Sequence, residues 1–65
     1  MDELVGKRCL CEFTMDPVRW PFPGFPANVI VEAVDMPMVK LRSFFSDRTL
    51  WINASAILKL EAFDQ

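Results

Sequence analysis

The chain has 65 residues, 52% of them hydrophobic, and a formal net charge of −2 at pH 7. A chain this short makes one domain, residues 1–65, with a small core, and its charge gives no global pull toward the phosphates of duplex nucleic acid. Aromatic and β-branched residues are too plentiful for a disordered chain, while prolines, Asn28 and Glu32 interrupt the apolar runs far short of the roughly 20 residues of a membrane helix.

The opening, MDELVGKR, runs from acidic to basic with no apolar stretch, so no secretory signal is expected and a cytoplasmic setting is. Residues 1–6 read as a short lead-in punctuated by Gly6. KRCLCEFT, residues 7–14, then alternates. Cys9, Cys11 and Phe13 share one face and Arg8, Leu10 and Glu12 the other, which predicts a half-buried strand. On that strand the two thiols point the same way about 7 Å apart, at or beyond disulfide reach. The chain has no histidine, so two thiols cannot complete a tetrahedral zinc site within one chain. No metal or cofactor is expected, and the cysteines read as small buried hydrophobes in a reducing compartment.

Residues 15–27 contain Pro17, Pro21, Pro23, Gly24 and Pro26. They bar regular helix and ladder pairing, and each residue before a proline is driven toward extended backbone. A long, semi-stiff loop is predicted, packed through Trp20, Phe22 and Phe25. At least one ring is expected to cap the core, with Trp20, beside Arg19, left outside.

NVIVEAVDM, residues 28–36, predicts a strand with Val29, Val31 and Ala33 on one face and Asn28, Ile30, Glu32 and Val34 on the other. A turn follows at Met36–Pro37. MVKLRSFF, residues 38–45, alternates with Val39, Leu41 and Phe45 inward and Lys40, Arg42 and Phe44 outward. Ser46–Asp47 marks the next turn. RTLWIN, residues 48–53, places Leu50 and Ile52 opposite Thr49 and Trp51. Asn53–Ala56 fits one 3₁₀ turn. ILKLEAF, residues 57–63, closes the chain as a strand with Leu58 and Leu60 opposite Lys59 and Glu61. The rival is a helix over ASAILKLEAF, supported by its alanines and leucines, but the alternation favours the strand.

Five short strands, a long loop after the first and tight turns between the middle ones predict an all-β fold closed, or nearly closed, into a small barrel. This order of elements resembles the SH3-like small barrels, the Tudor-type branch included. There a long loop follows the first strand, three strands form a meander, and a 3₁₀ turn leads into a short last strand. GKRCLCEF is similar to their opening glycine and alternating first strand. TLWINASAILKLE, residues 49–61, is similar to the strand, turn and strand that close them. The resemblance spans residues 6–63 and implies a five-stranded SH3-like barrel. It carries no ligand with it. Methyl-lysine readers often build their cage with tyrosines, and this chain has none. Peptide-binding SH3 domains have an acidic first loop, and here that loop is proline-rich with only Asp16 acidic.

Without histidine there is no nucleophile–base pair, and the carboxylates show no paired spacing for acid/base work. Gly6 and Gly24 are isolated, so there is no phosphate-binding loop. A single chain is not expected to be an enzyme; an active site formed between subunits is the remaining catalytic route. With Cys9, Val29, Val39, Leu41, Leu50 and Leu58 facing the core, the opposite side carries Leu10, Ile30, Val34, Met36, Met38, Phe44 and Trp51. Either the 15–27 loop folds over these residues, or they form an exposed patch rimmed by Arg8, Lys40 and Arg42. Such patches mark protein contacts, with Trp and Arg as their strongest anchors. The candidate partner-binding residues are Trp20, Phe22, Phe25, Arg42, Phe44 and Trp51. The expected function is a small protein-interaction module that self-associates or docks on a partner protein, a role suited to an accessory protein of a phage or plasmid. The alternative is single-stranded nucleic acid stacked on Trp51 and Phe44 beside Arg8, Lys40, Arg42 and Arg48. Glu12 and Glu32 across the sheet balance those cations, which makes it the second choice.

Overall fold

The computed structural model describes residues 1–63; positions 64 and 65 of the expected domain lie outside the described residues. Strands β1 (Arg8–Phe13), β2 (Ala27–Asp35), β3 (Met38–Ser43), β4 (Thr49–Asn53) and β5 (Ile57–Ala62) form one antiparallel sheet in the order β4-β3-β2-β1-β5. The alternation of β1 gives the face it promises: Cys9, Cys11 and Phe13 are buried, and both thiols are free. Val29, Val31, Val39 and Leu41 continue that face across β2 and β3. Residues Ala54–Ala56 are a 3₁₀ turn whose entry is capped by Asn53, its Oδ1 accepting from the Ser55 N–H at 2.9 Å. The chain then runs on as β5, which disposes of the rival helix.

The expected closure into a barrel is not met. Among the described residues no ladder joins β4 to β5, which remain the two edges of the sheet. The sheet is nevertheless strongly rolled. Asn53 ends β4 and Ile57 begins β5 at opposite edges. Across a flat five-stranded sheet, four interstrand spacings would hold them about 19 Å apart. Four residue steps reach only about 14 Å when fully extended, and a 3₁₀ turn rises about 2 Å per residue. The edges must therefore curl toward each other. The turn delivers β5 to β1 rather than back along β4: the Thr14 N–H donates to the Ala56 carbonyl at 2.9 Å, and pairing with β1 starts at Ile57.

Two bulges assist the bend and reverse two expected faces. In β2, Val31 pairs with Leu41 but Ala33 pairs with Lys40, so Glu32 is extra. Beyond it Val34 stands opposite Val39 and packs on the core, while Ala33 shares the outer face of Lys40. In β5, Lys59 pairs with Glu12 and Ile57 with Phe13, leaving Leu58 unpaired and 66% exposed. Ile57 and Leu60 take the core positions instead. A slip of one residue sends every later side chain to the other face. β3 also stops earlier than expected, at Ser43. That residue is buried, its Oγ accepting from the Phe45 N–H at 3.1 Å, and Phe45 itself is exposed rather than inward.

The proline-rich connection supplies the lid of the core. Pro17–Arg19 forms one 3₁₀ turn, which the sequence reading omitted; Asp16 Oδ1 caps it by accepting from the Val18 N–H at 3.2 Å. Proline at the first position of such a turn sacrifices no hydrogen bond. Phe22, 2% exposed, stacks on Phe13 with ring centres 6.3 Å apart. Trp20 meets Phe13 edge-on at 5.4 Å, and its Nε1–H donates to the Met15 carbonyl at 2.9 Å. With that polar atom satisfied the indole is half-buried. The ring left outside is Phe25, 74% exposed and lying 5.0 Å from Trp20, not Trp20 itself. Between them Gly24 has φ +102°, and a Cβ there would stand 3.0 Å from the Pro26 carbonyl oxygen, so only glycine makes this bend without strain. Arg48 ties the lid to the β3–β4 turn, its Nε–H donating to the Pro21 carbonyl at 3.0 Å. Arg48→Ala is expected to lower stability by about 0.5–1 kcal/mol, read as a lower urea midpoint at unchanged slope.

Candidate functional site

The outer face of the sheet is organised around Arg8. Its Nε–H and Nη2–H donate to Asn28 Oδ1 at 3.2 and 2.9 Å. The guanidinium plane lies between two rings, with Phe44 at 3.9 Å and Phe63 at 4.0 Å. Backbone bonds position both rings: the Phe44 N–H donates to the Asn28 carbonyl at 3.0 Å, and the Phe63 N–H to the Arg8 carbonyl at 2.7 Å. Phe45 meets Phe44 edge-on at 5.3 Å. A shallow cleft of about 360 Å³ beside this clasp is lined by Lys7, Arg8, Ala62 and Phe63.

The cross-strand row from Arg8 continues through half-buried Ile30 to Arg42. Arg42 Nε donates to Glu32 Oε2 at 2.7 Å. One row further along, Lys40 stands opposite Trp51 with its Nζ 5.9 Å from the indole centre. Trp51 is 47% exposed.

The structure therefore brings Arg42, Phe44 and Trp51 to one outer face. Trp20 and Phe25 sit elsewhere, over the Phe13 end of the inner face, and Phe22 lies in the core. Two residues of the outer face had no such role in the sequence reading. Arg8 was a rim cation there, and Phe63 only the end of the last strand. A ring opposite an arginine becomes a signal only once the β1–β5 register is known.

The thiols offer no chemistry at neutral pH. Burial pushes both above the ordinary cysteine range, Cys11 to about 12, with the neighbouring Cys9 and Glu12 charges adding to the effect of burial. A thiol that stays protonated is a poor nucleophile and a poor metal ligand. Among the described residues no three His, Cys, Asp or Glu side chains gather to hold a metal ion, and no helix is long and apolar enough to cross a membrane.

No model of a known protein family, no curated protein and no solved structure matches the chain.

Proposed function

We propose that the chain is a small protein-interaction module of SH3-like architecture, which docks on protein partners, copies of itself included, through the outer face of its sheet. The rolled sheet, the strand order β4-β3-β2-β1-β5 and the 3₁₀ turn before β5 support the architecture. One observation carries the function: large exposed rings on that face are held in place before any partner arrives. Phe44 and Phe63 are clasped to Arg8, and Trp51 leans on Lys40. Aromatic and arginine side chains dominate the energetics of protein interfaces. Side chains already ordered lose little entropy on docking. Two buried free thiols suit a reducing, cytoplasmic setting. Single-stranded nucleic acid is the weaker reading, because Arg42 is paired with Glu32 and Arg48 is spent on the proline-rich lid.

The test is a pair of substitutions, Phe44→Ala with Trp51→Ala. Retention of partner proteins on the immobilised chain is expected to weaken at least about tenfold. Both side chains are exposed, so the melting temperature should move by only a few degrees. Undiminished retention by the double variant would show that the outer face is not the docking surface.

A further inference from the structure

The two edges of the sheet are built differently. β5 carries the bulge at Leu58 and the charged side chains Lys59 and Glu61, features that discourage addition of a further strand. β4, with sequence TLWIN, has no charge and no proline, and its ladder with β3 runs without a bulge. The β3–β4 ladder also shows which backbone groups of β4 are unpaired. The Ser43 N–H donates to the Arg48 carbonyl at 2.9 Å, and the Ala54 N–H to the Pro37 carbonyl at 2.7 Å. Between these anchors the hydrogen-bonded pairs are Leu41 with Leu50 and Val39 with Ile52, because such pairs alternate along an antiparallel ladder. The N–H and C=O groups of Thr49 and Trp51 and the N–H of Asn53 consequently point away from β3, to the open edge, while the Asn53 carbonyl accepts the first bond of the 3₁₀ turn.

We propose that this edge pairs antiparallel with β4 of a second copy, about a two-fold axis at Trp51. The proposal rests on the reading of the chain as an interaction module, but it uses the backbone of an edge rather than the rings of the outer face. In this register Trp51 pairs with the partner's Trp51, and Thr49 with the partner's Asn53. The Trp51 pair exchanges two bonds and each Asn53 N–H donates to the partner's Thr49 carbonyl, about four in all between free groups, while each Thr49 N–H meets an Asn53 carbonyl whose second lone pair the 3₁₀ turn leaves open. A register shifted by two residues would leave some of them unpaired. The edge also suits itself in charge. No ionised side chain meets its like at the axis, and the two indoles stand side by side between the two copies' Lys40, so that each cation faces ring surface rather than another cation. A two-fold interface of this kind is closed, so it ends at two copies.

The test is sedimentation of the chain made by chemical synthesis with an N-methyl group on Trp51. That change removes one edge donor and blocks strand approach, but leaves the β3 ladder and every side chain in place. The unmodified chain is expected to double its mass with concentration, below about 1 mM, and the N-methylated chain to stay at the monomer mass. Thr49→Lys, which adds an edge charge of the kind that guards natural sheets, is expected to do the same and does not depend on the methylated chain folding. A chain monomeric to about 1 mM, a dimer that survives both changes, or a ring of three or more copies would each overturn the proposal. N-methylation leaves Phe44 and the Trp51 ring intact, so capture of other proteins should persist there. Phe44→Ala with Trp51→Ala leaves the backbone of the edge intact, so undiminished capture with dimerisation preserved would count against the outer-face reading alone.

Discussion

Replacing Phe22 by alanine is expected to leave most of the chain unfolded at 25 °C. The ring is 2% exposed and stacks on Phe13, which closes the end of the inner face beside Trp20. Truncating a buried phenylalanine costs about 3–5 kcal/mol through lost transfer energy and the cavity left behind. A domain of this size rarely has more than about 3–5 kcal/mol to lose. Phe25→Ala, three residues away, is the control. That ring is 74% exposed and touches Trp20 from outside, so its loss should cost only about 0.5–1 kcal/mol. Urea unfolding followed by tryptophan fluorescence distinguishes the two. Equal, mild effects would mean that the proline-rich connection is not part of the core.

The second large effect is a loss of stability in mild alkali. Cys9 and Cys11 are both held above the ordinary thiol range, Cys11 at about 12, whereas in the unfolded chain they titrate near about 8.5. Below that pH both states hold the protons and the stabilisation is fully present. Above it the unfolded chain releases protons that the folded chain keeps, so stability falls as pH rises toward the folded values. The slope approaches about 1.4 kcal/mol per pH unit for each thiol. Melting temperatures should therefore decline between pH 8 and 10 in a chain with no tyrosine to confuse the titration. Cys11→Ala should have a lower melting temperature at neutral pH and a shallower decline. A stability that stays flat to pH 10 would refute the burial of the thiols. Alkylation at pH 8.5 offers an independent check: it should be slow in the folded chain and fast in urea.

Much of the fold is legible in short windows. KRCLCEFT declares its strand and its buried face by period two alone, and MVKLR does the same. Asn53 before Ala54-Ser55-Ala56 marks the 3₁₀ turn because its side chain caps the next turn locally. The faces of Val34 and Leu58 cannot be read this way. Val34 follows a bulge and Leu58 is itself the bulged residue, and these bulges exist only in the pairing of β2 with β3 and of β5 with β1. The rings of the lid show the same limit. Trp20, Phe22 and Phe25 share one local pattern, an aromatic before a proline, yet one is buried, one half-buried and one exposed according to where Phe13 lies beneath them. Of the outer-face residues, Arg42, Phe44 and Trp51 stand out by type and alternation. Phe63 does not, because the arginine it covers belongs to the first strand of the chain.

The sequence by itself determined the elements: five strands, their turns, a proline-stiffened connection, two thiols destined for the interior and an excess of aromatic surface. These are consequences of backbone restriction and of side-chain period, which act over a few residues. Only the tertiary structure decided that the sheet rolls without closing its ladder, which ring covers the core, which residues clasp Arg8 and which edge is left open. Those outcomes depend on register between strands far apart in the chain, where a shift of one residue exchanges the inside for the outside.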